Sequence, residues 1–136
     1  MSAIKVEKLP GRIRVSTGRK WEAIVGYSRA VQIGNTIAVT GTIGVYQDGS
    51  YPESASEQTT LALNTIVEAL KALGSGPEDV IRTRIYVTDI SRWEEIGRAH
   101  AAVFGEVRPA TTMVEVSALV DPEAIVEIEA DAILAG

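Results

Sequence analysis

Residues 54–88 read SASEQTTLALNTIVEALKALGSGPEDVIRTRIYVT, and this stretch decides the fold. Ser54 and Glu57 have the spacing of a capping box, in which each side chain satisfies a backbone N–H that the first turn leaves free. Leu63, Ile66, Val67, Leu70 and Leu73 follow at helical intervals, and Gly74 stands where a helix ends. Beyond the loop Ser75–Asp79 the period drops to two. Val80–Thr88 reads as a strand with Ile81, Thr83, Ile85 and Val87 on one face and Arg82, Arg84, Tyr86 and Thr88 on the other.

Working toward the N-terminus, Ser28–Ile33 and Thr36–Gly41 are β-rich runs separated by Gly34-Asn35, a hairpin signal. Asp48-Gly49 marks a further turn. Thr17–Lys20 is a polar loop, and Arg12–Ser16 alternates as a short strand. Toward the C-terminus, Ser91 and Glu94 suggest a second capping box. Trp93, Ile96, Gly97, His100 and Phe104 then mark one face of a second helix, ending near Gly105. Pro109 restarts the chain in extended form. Thr111–Ser117 and Ile125–Leu134 are two more strands joined by a turn at Asp121-Pro122. No repeat, linker or low-complexity tract interrupts this order.

Three strands, a helix, a strand, a helix and two strands predict an α+β domain over residues 1–136. Two moderate helices cannot cover both faces of a sheet of about six strands, so both belong on one face. The other face is expected to carry Arg82, Arg84 and Tyr86; Thr111, Met113 and Glu115; and Glu127, Glu129 and Asp131. Such a polar but charge-compensated mixture suits a subunit interface, the acids pairing with Arg82 and Arg84. A solvated face is the alternative.

Composition narrows the chemistry. The chain has 136 residues, 46% hydrophobic and 23% charged, ordinary for a folded domain. It has no cysteine and a single histidine, His100, which removes disulfides, thiol nucleophiles and His-rich metal sites. A net charge of −5 has the wrong sign for a nucleic-acid partner. No targeting segment and no apolar run of membrane-spanning length is visible, so a cytoplasmic protein without a membrane partner is expected. There is no dinucleotide fingerprint, P-loop or nucleophile elbow.

An ordered set of short motifs carries a family resemblance. Gly26-Tyr27-Ser28-Arg29-Ala30-Val31, Gly34-Asn35 and Thr40-Gly41-Thr42-Ile43-Gly44 come first. Gln58-Thr59, Asn64, Asp79-Val80 and Tyr86-Val87-Thr88-Asp89 follow, then Pro109-Ala110-Thr111 and Val126-Glu127-Ile128-Glu129-Ala130. Together they resemble the Rid family, the reactive-intermediate deaminases once called YjgF-type, from about Tyr27 to the C-terminus. The resemblance implies a chorismate-mutase-like (YjgF-like) fold assembled as a homotrimer, with three small-molecule clefts between subunits. It implies cofactor-free, metal-free hydrolysis of a 2-imino or enamine acid to a 2-keto acid and ammonia. An arginine after the Pro-Ala pair grips the substrate carboxylate, and the first glutamate of Glu-Ile-Glu handles water.

Carried over residue by residue, the glutamate is Glu127, the pocket tyrosine Tyr27 and the backbone glycine Gly41, with Thr40 for the usual serine. The arginine is absent, because Thr111 occupies its position. A second-helix asparagine falls on Gly97, the aromatic three residues later on His100, and a small residue on Met113. A threonine hydroxyl cannot replace a bidentate guanidinium. The chain therefore reads as a divergent member, a small-metabolite-binding trimer with weak activity on 2-imino acids.

Two alternatives stay open. One is an active hydrolase variant in which Glu127 works with Arg29 or His100 as the substitute anchor or acid/base partner. The other is a non-catalytic, chaperone-like or regulatory trimer. Ribonuclease activity, attached to relatives, fits the acidic charge poorly. Arg98 and Arg108 read as solvated surface cations, and a lone histidine placed as His100 is more often a hydrogen-bonded packing residue than a catalyst.

Overall fold

The structure, a computed structural model, describes residues 4–135. One sheet of seven strands runs in the order β1-β2-β3-β4-β7-β5-β6. The strands are β1 (Lys5–Leu9), β2 (Arg12–Ser16), β3 (Ala30–Ile33), β4 (Thr36–Ile43), β5 (Val80–Val87), β6 (Ala110–Glu115) and β7 (Val126–Ile133). Only β5 and β6 pair in parallel. Two helices, α1 (Ala55–Ala72) and α2 (Trp93–Phe104), lie on one face.

The long helix forms for the reasons its sequence states. Ser54 Oγ accepts from the Glu57 amide, and the Ser75 amide reaches back to the Leu70 carbonyl beyond Gly74, whose φ is +77°. Leu63, Ile66 and Leu70 of α1 and Ile96 and Phe104 of α2 are buried against Val15, Ile37, Ile85 and Ile128 of the sheet. This is the two-layer core expected of an α+β domain with its helices on one side.

Five details depart from the sequence reading. The strand count is seven because β1 hairpins onto β2 around Pro10-Gly11, with Gly11 at φ +72°. All five β1 residues are exposed, although the segment alternates charged and apolar residues. Ser91 does not cap α2. Asp89 accepts from the Ser91 amide and starts a short 3₁₀ turn, Ile90–Arg92, that runs into the helix. Trp93 consequently lies at the helix mouth, 57% exposed, off the buried stripe. A bulge between Val80 and Arg82 turns Ile81 outward, and Val80 takes the buried place.

The fifth departure bears on the site. Thr111, Met113 and Glu115 pair with Thr83, Ile85 and Val87, all buried under the helices. Paired residues in a sheet share a face. These three side chains therefore belong to the helix-covered face, not to the open face with Glu127. A parallel partner strand cannot be registered from its own alternation, and the open face was the wrong assignment. On the open face, Arg84 bridges Glu129 and Asp131 at 3.4 and 3.2 Å, while the expected pairing of Arg82 is not formed.

Candidate functional site

The candidate residues fall into two groups on opposite faces of the sheet. The first occupies the open face. Strand β4 is bulged at Thr40-Gly41, which brings Gly41 beside the side chain of Glu127 on β7, and Tyr27 follows a one-turn π-helix, Glu22–Gly26. A trough of about 640 Å³ is lined there by Tyr27, Thr40, Arg14, Arg84, Glu129 and Asp131. Glu127 lies outside its wall, one pleat along β7.

Gly41 explains how the Glu127 carboxyl fits. A Cβ at position 41 would lie 2.5 Å from Glu127 Oε2, so the carboxyl occupies the space that a side chain would fill. Burial, reinforced by the Glu129 carboxylate, pushes the Glu127 pKa up, and the Arg29 cation partly opposes this. Among the described residues, none donates a hydrogen bond to the Glu127 carboxyl. It is a half-buried acid with free lone pairs, as a group that accepts a proton from water requires.

Arg29 is not a solvated cation. It is 2% exposed, donates to the Gly41 carbonyl at 3.2 Å and to Thr42 Oγ1 at 3.1 Å, and pairs with Glu22 Oε2 at 3.7 Å. Its guanidinium lies 5.7 Å from the centre of the Tyr27 ring. Glu22 is itself held by the Thr17 amide and hydroxyl. Arg29 thus braces the wall from behind. Arg98 pairs with Glu94 on the exposed side of α2, and the Arg108 side chain donates to the Gly105 carbonyl.

The second group sits at the β6 edge on the helix side. His100 Nε2 lies 2.9 Å from Thr83 Oγ1, which lies 2.8 Å from Thr111 Oγ1. The His100 ring tilts against Phe104, with centroids 4.8 Å apart. Burial lowers the His100 pKa, favouring the neutral imidazole. Nothing lies within 4 Å of a Cβ placed on Gly97, so the surface of α2 at this position is open. Met113 packs on the core from this strand. A second cavity, about 920 Å³ between α1 and the loops at Thr17–Trp21 and Val45–Tyr51, contains none of the candidate residues.

Comparison with known proteins places the chain. The Ribonuc_L-PSP family, described as endoribonuclease L-PSP, matches residues 17–134. This chain is a member of that family, the YjgF/Rid family. A YjgF/YER057c/UK114-family crystal structure from Mycobacterium tuberculosis is 51% identical, with a TM-score of 0.85 over 90% of this chain and 99% of that one. An uncharacterised protein of Streptomyces coelicolor is 39% identical over 88% of this chain and 90% of its own length. The 2-iminobutanoate/2-iminopropanoate deaminase of Rattus norvegicus is 32% identical over 88% of each. The seven-stranded mixed sheet with two main helices is the YjgF-like fold. Among the described residues of this Rid-family chain, no helix is long and apolar enough to cross a membrane.

Two residues that organise the candidate site were missed in the sequence. Thr83, the one polar residue among Ile85 and Val87 on a buried strand face, signals a need for an internal partner. Glu22 gave no such signal, because its partner Arg29 lies seven residues on and meets it only when the intervening turn has folded.

Proposed function

We propose that this chain acts as a homotrimer that takes a small metabolite in clefts between subunits, and that it turns over 2-imino acids weakly. The carrying observation is the division of the candidate residues. Tyr27, Thr40, Gly41 and Glu127 belong to the open face, and Gly97, His100, Thr111 and Met113 to the helix side of the β6 edge. One chain cannot turn both groups toward one ligand. Neighbouring copies in a closed ring can, each giving its open face to the next copy's edge. The exposed Ile24 and Val25, each 69% accessible beside Tyr27, support coverage of this region in the assembly.

The weak activity follows from Thr111. A substrate carboxylate at that position meets a neutral hydroxyl, and charge-assisted hydrogen bonds contribute about 1.5–3 kcal/mol against about 1 for neutral ones. Light scattering should give a trimer mass. Imine generated in situ from an amino-acid oxidase should disappear only slightly faster with protein than without. A monomer, or rapid clearance of 2-iminobutanoate by the trimer, would overturn the proposal.

The state of Glu127 favours one second reading, cofactor-free hydrolysis of a different imine or enamine. Its half-buried carboxyl takes a proton from water as the oxygen attacks the C=N carbon. The proton passes to nitrogen to give a carbinolamine, whose hydroxyl proton is then relayed to the amine as the C–N bond breaks, leaving a carbonyl compound and ammonia. Loss of turnover in Glu127→Ala, with the trimer intact, is the test of that role.

A further inference from the structure

The edge half-site holds a hydrogen-bond chain with no formal charge. Thr83 Oγ1 stands between His100 Nε2 at 2.9 Å and Thr111 Oγ1 at 2.8 Å, and Thr111 Oγ1 is also 3.1 Å from the Pro109 carbonyl. Thr83 is fully buried, so its single proton and its lone pairs are committed inside the chain. Thr111 is exposed and forms the chain's outer end.

The protons can run either way. With a hydrogen on Nε2, His100 donates to Thr83 and Thr83 donates to Thr111. Thr111 then offers its own proton to the Pro109 carbonyl or to a ligand. With the hydrogen on Nδ1, Nε2 accepts from Thr83 and Thr83 accepts from Thr111. Thr111 then presents lone pairs alone. The outer end becomes a donor or an acceptor by a change of tautomer, and in neither case a cation. The nearby arginines do not supply one. Arg98 is held by Glu94 and Arg108 donates to the Gly105 carbonyl.

We propose that this chain selects a ligand whose group facing Thr111 is uncharged, an amide, ketone or imine, in preference to one bearing a carboxylate there. A C=O or C=N–H group accepts from Thr111 in one tautomer, and an N–H donates to it in the other. A carboxylate can only accept, and the edge offers it no countercharge, while Arg14 and Arg84 of the open face are already engaged by Glu7 and by Glu129 and Asp131. The open space at Gly97, three residues before His100 on α2, leaves room for such a group on this side of the helix. His100 is on this account a positioning residue that acts through Thr83. The inference rests on the proposed inter-subunit cleft and names the class of compound it takes.

Two probes isolate the charge. 2-Oxobutanamide and 2-oxobutanoate differ at one end only, as amide and carboxylate. Titration calorimetry on the wild-type trimer should show the amide binding about tenfold more tightly or better, the ratio set by stranding one carboxylate. Thr83→Val, close in shape, should weaken amide binding several-fold and narrow the preference, and Thr83→Ser, which keeps the oxygen, should retain it. Thr111→Arg should reverse the order. Equal binding, or tighter binding of 2-oxobutanoate by the wild type, overturns the inference and leaves the cleft standing. A trimer that binds neither probe overturns both.

Discussion

The two half-sites use opposite physics. The open face is built on charge: Arg29 and Glu22 are buried as a pair, and the Glu127 carboxyl is pushed toward its protonated form by burial and by Glu129. The β6 edge is built without charge, from two threonines and an imidazole that burial keeps neutral. The contrast separates their tasks. A carboxyl with a raised pKa and free lone pairs suits proton transfer, whereas a neutral hydrogen-bond chain suits recognition of a neutral group.

The contrast is broken most severely at Glu22. Glu22→Ala leaves the Arg29 cation buried without its counter-ion, which should cost about 3–5 kcal/mol in denaturant unfolding. An effect under about 1 kcal/mol would mean that the pair does not brace the wall. Gly41→Ala should act differently, because its Cβ meets only the mobile end of Glu127. It should lower affinity for 2-oxobutanamide about tenfold while costing about 1 kcal/mol or less of stability. At Gly44 the added Cβ would lie 1.9 Å from the Gln58 carbonyl oxygen, so Gly44→Ala should reverse that balance, with loss of folding dominating.

Acidity sharpens the comparison, because the two halves respond with opposite signs. The folded Glu127 pKa lies above its ordinary value of 4.5. Its ionisation therefore costs stability as pH rises through the folded pKa, and Glu127→Gln should be the more stable protein at pH 7. That gap should close below pH 4.5. The folded His100 pKa lies below its ordinary 6.5, so its contribution is complete above 6.5 and is lost as pH falls through the folded value. His100→Asn should lack that loss. Unfolding midpoints from pH 4 to 8 in both variants would show slopes of opposite sign, and parallel slopes would refute the assignment. The smallest effect is expected at the exposed Arg98–Glu94 pair, where Glu94→Ala should change stability by about 0.3–0.5 kcal/mol.

Much of this arrangement was legible in the sequence. The capping box at Ser54, the hairpin at Gly34-Asn35 and the period change at Val80 fixed the element order, since each is a local signal with a local cause. The face of Thr111 was not legible. Its orientation depends on the parallel register with β5, and a strand's own alternation carries no record of its partner. Strand β1 escaped because its short alternation of charged and apolar residues buries neither face, so nothing in it marks a partner strand. Arg29 was readable as unusual in its segment, but its engagement with Glu22 and the Gly41 carbonyl belongs to tertiary structure alone.

Complementation shows whether each proposed cleft joins the open face of one subunit to the edge of another. Glu127→Ala removes the open-face half and Thr111→Val the edge half, so each variant alone should fail to bind 2-oxobutanamide. Co-refolded in equal amounts, they form mixed rings in which some clefts receive one intact half from each parent. Random assortment should restore about a quarter of the wild-type binding capacity. No restoration in mixed rings of confirmed composition would contradict the account.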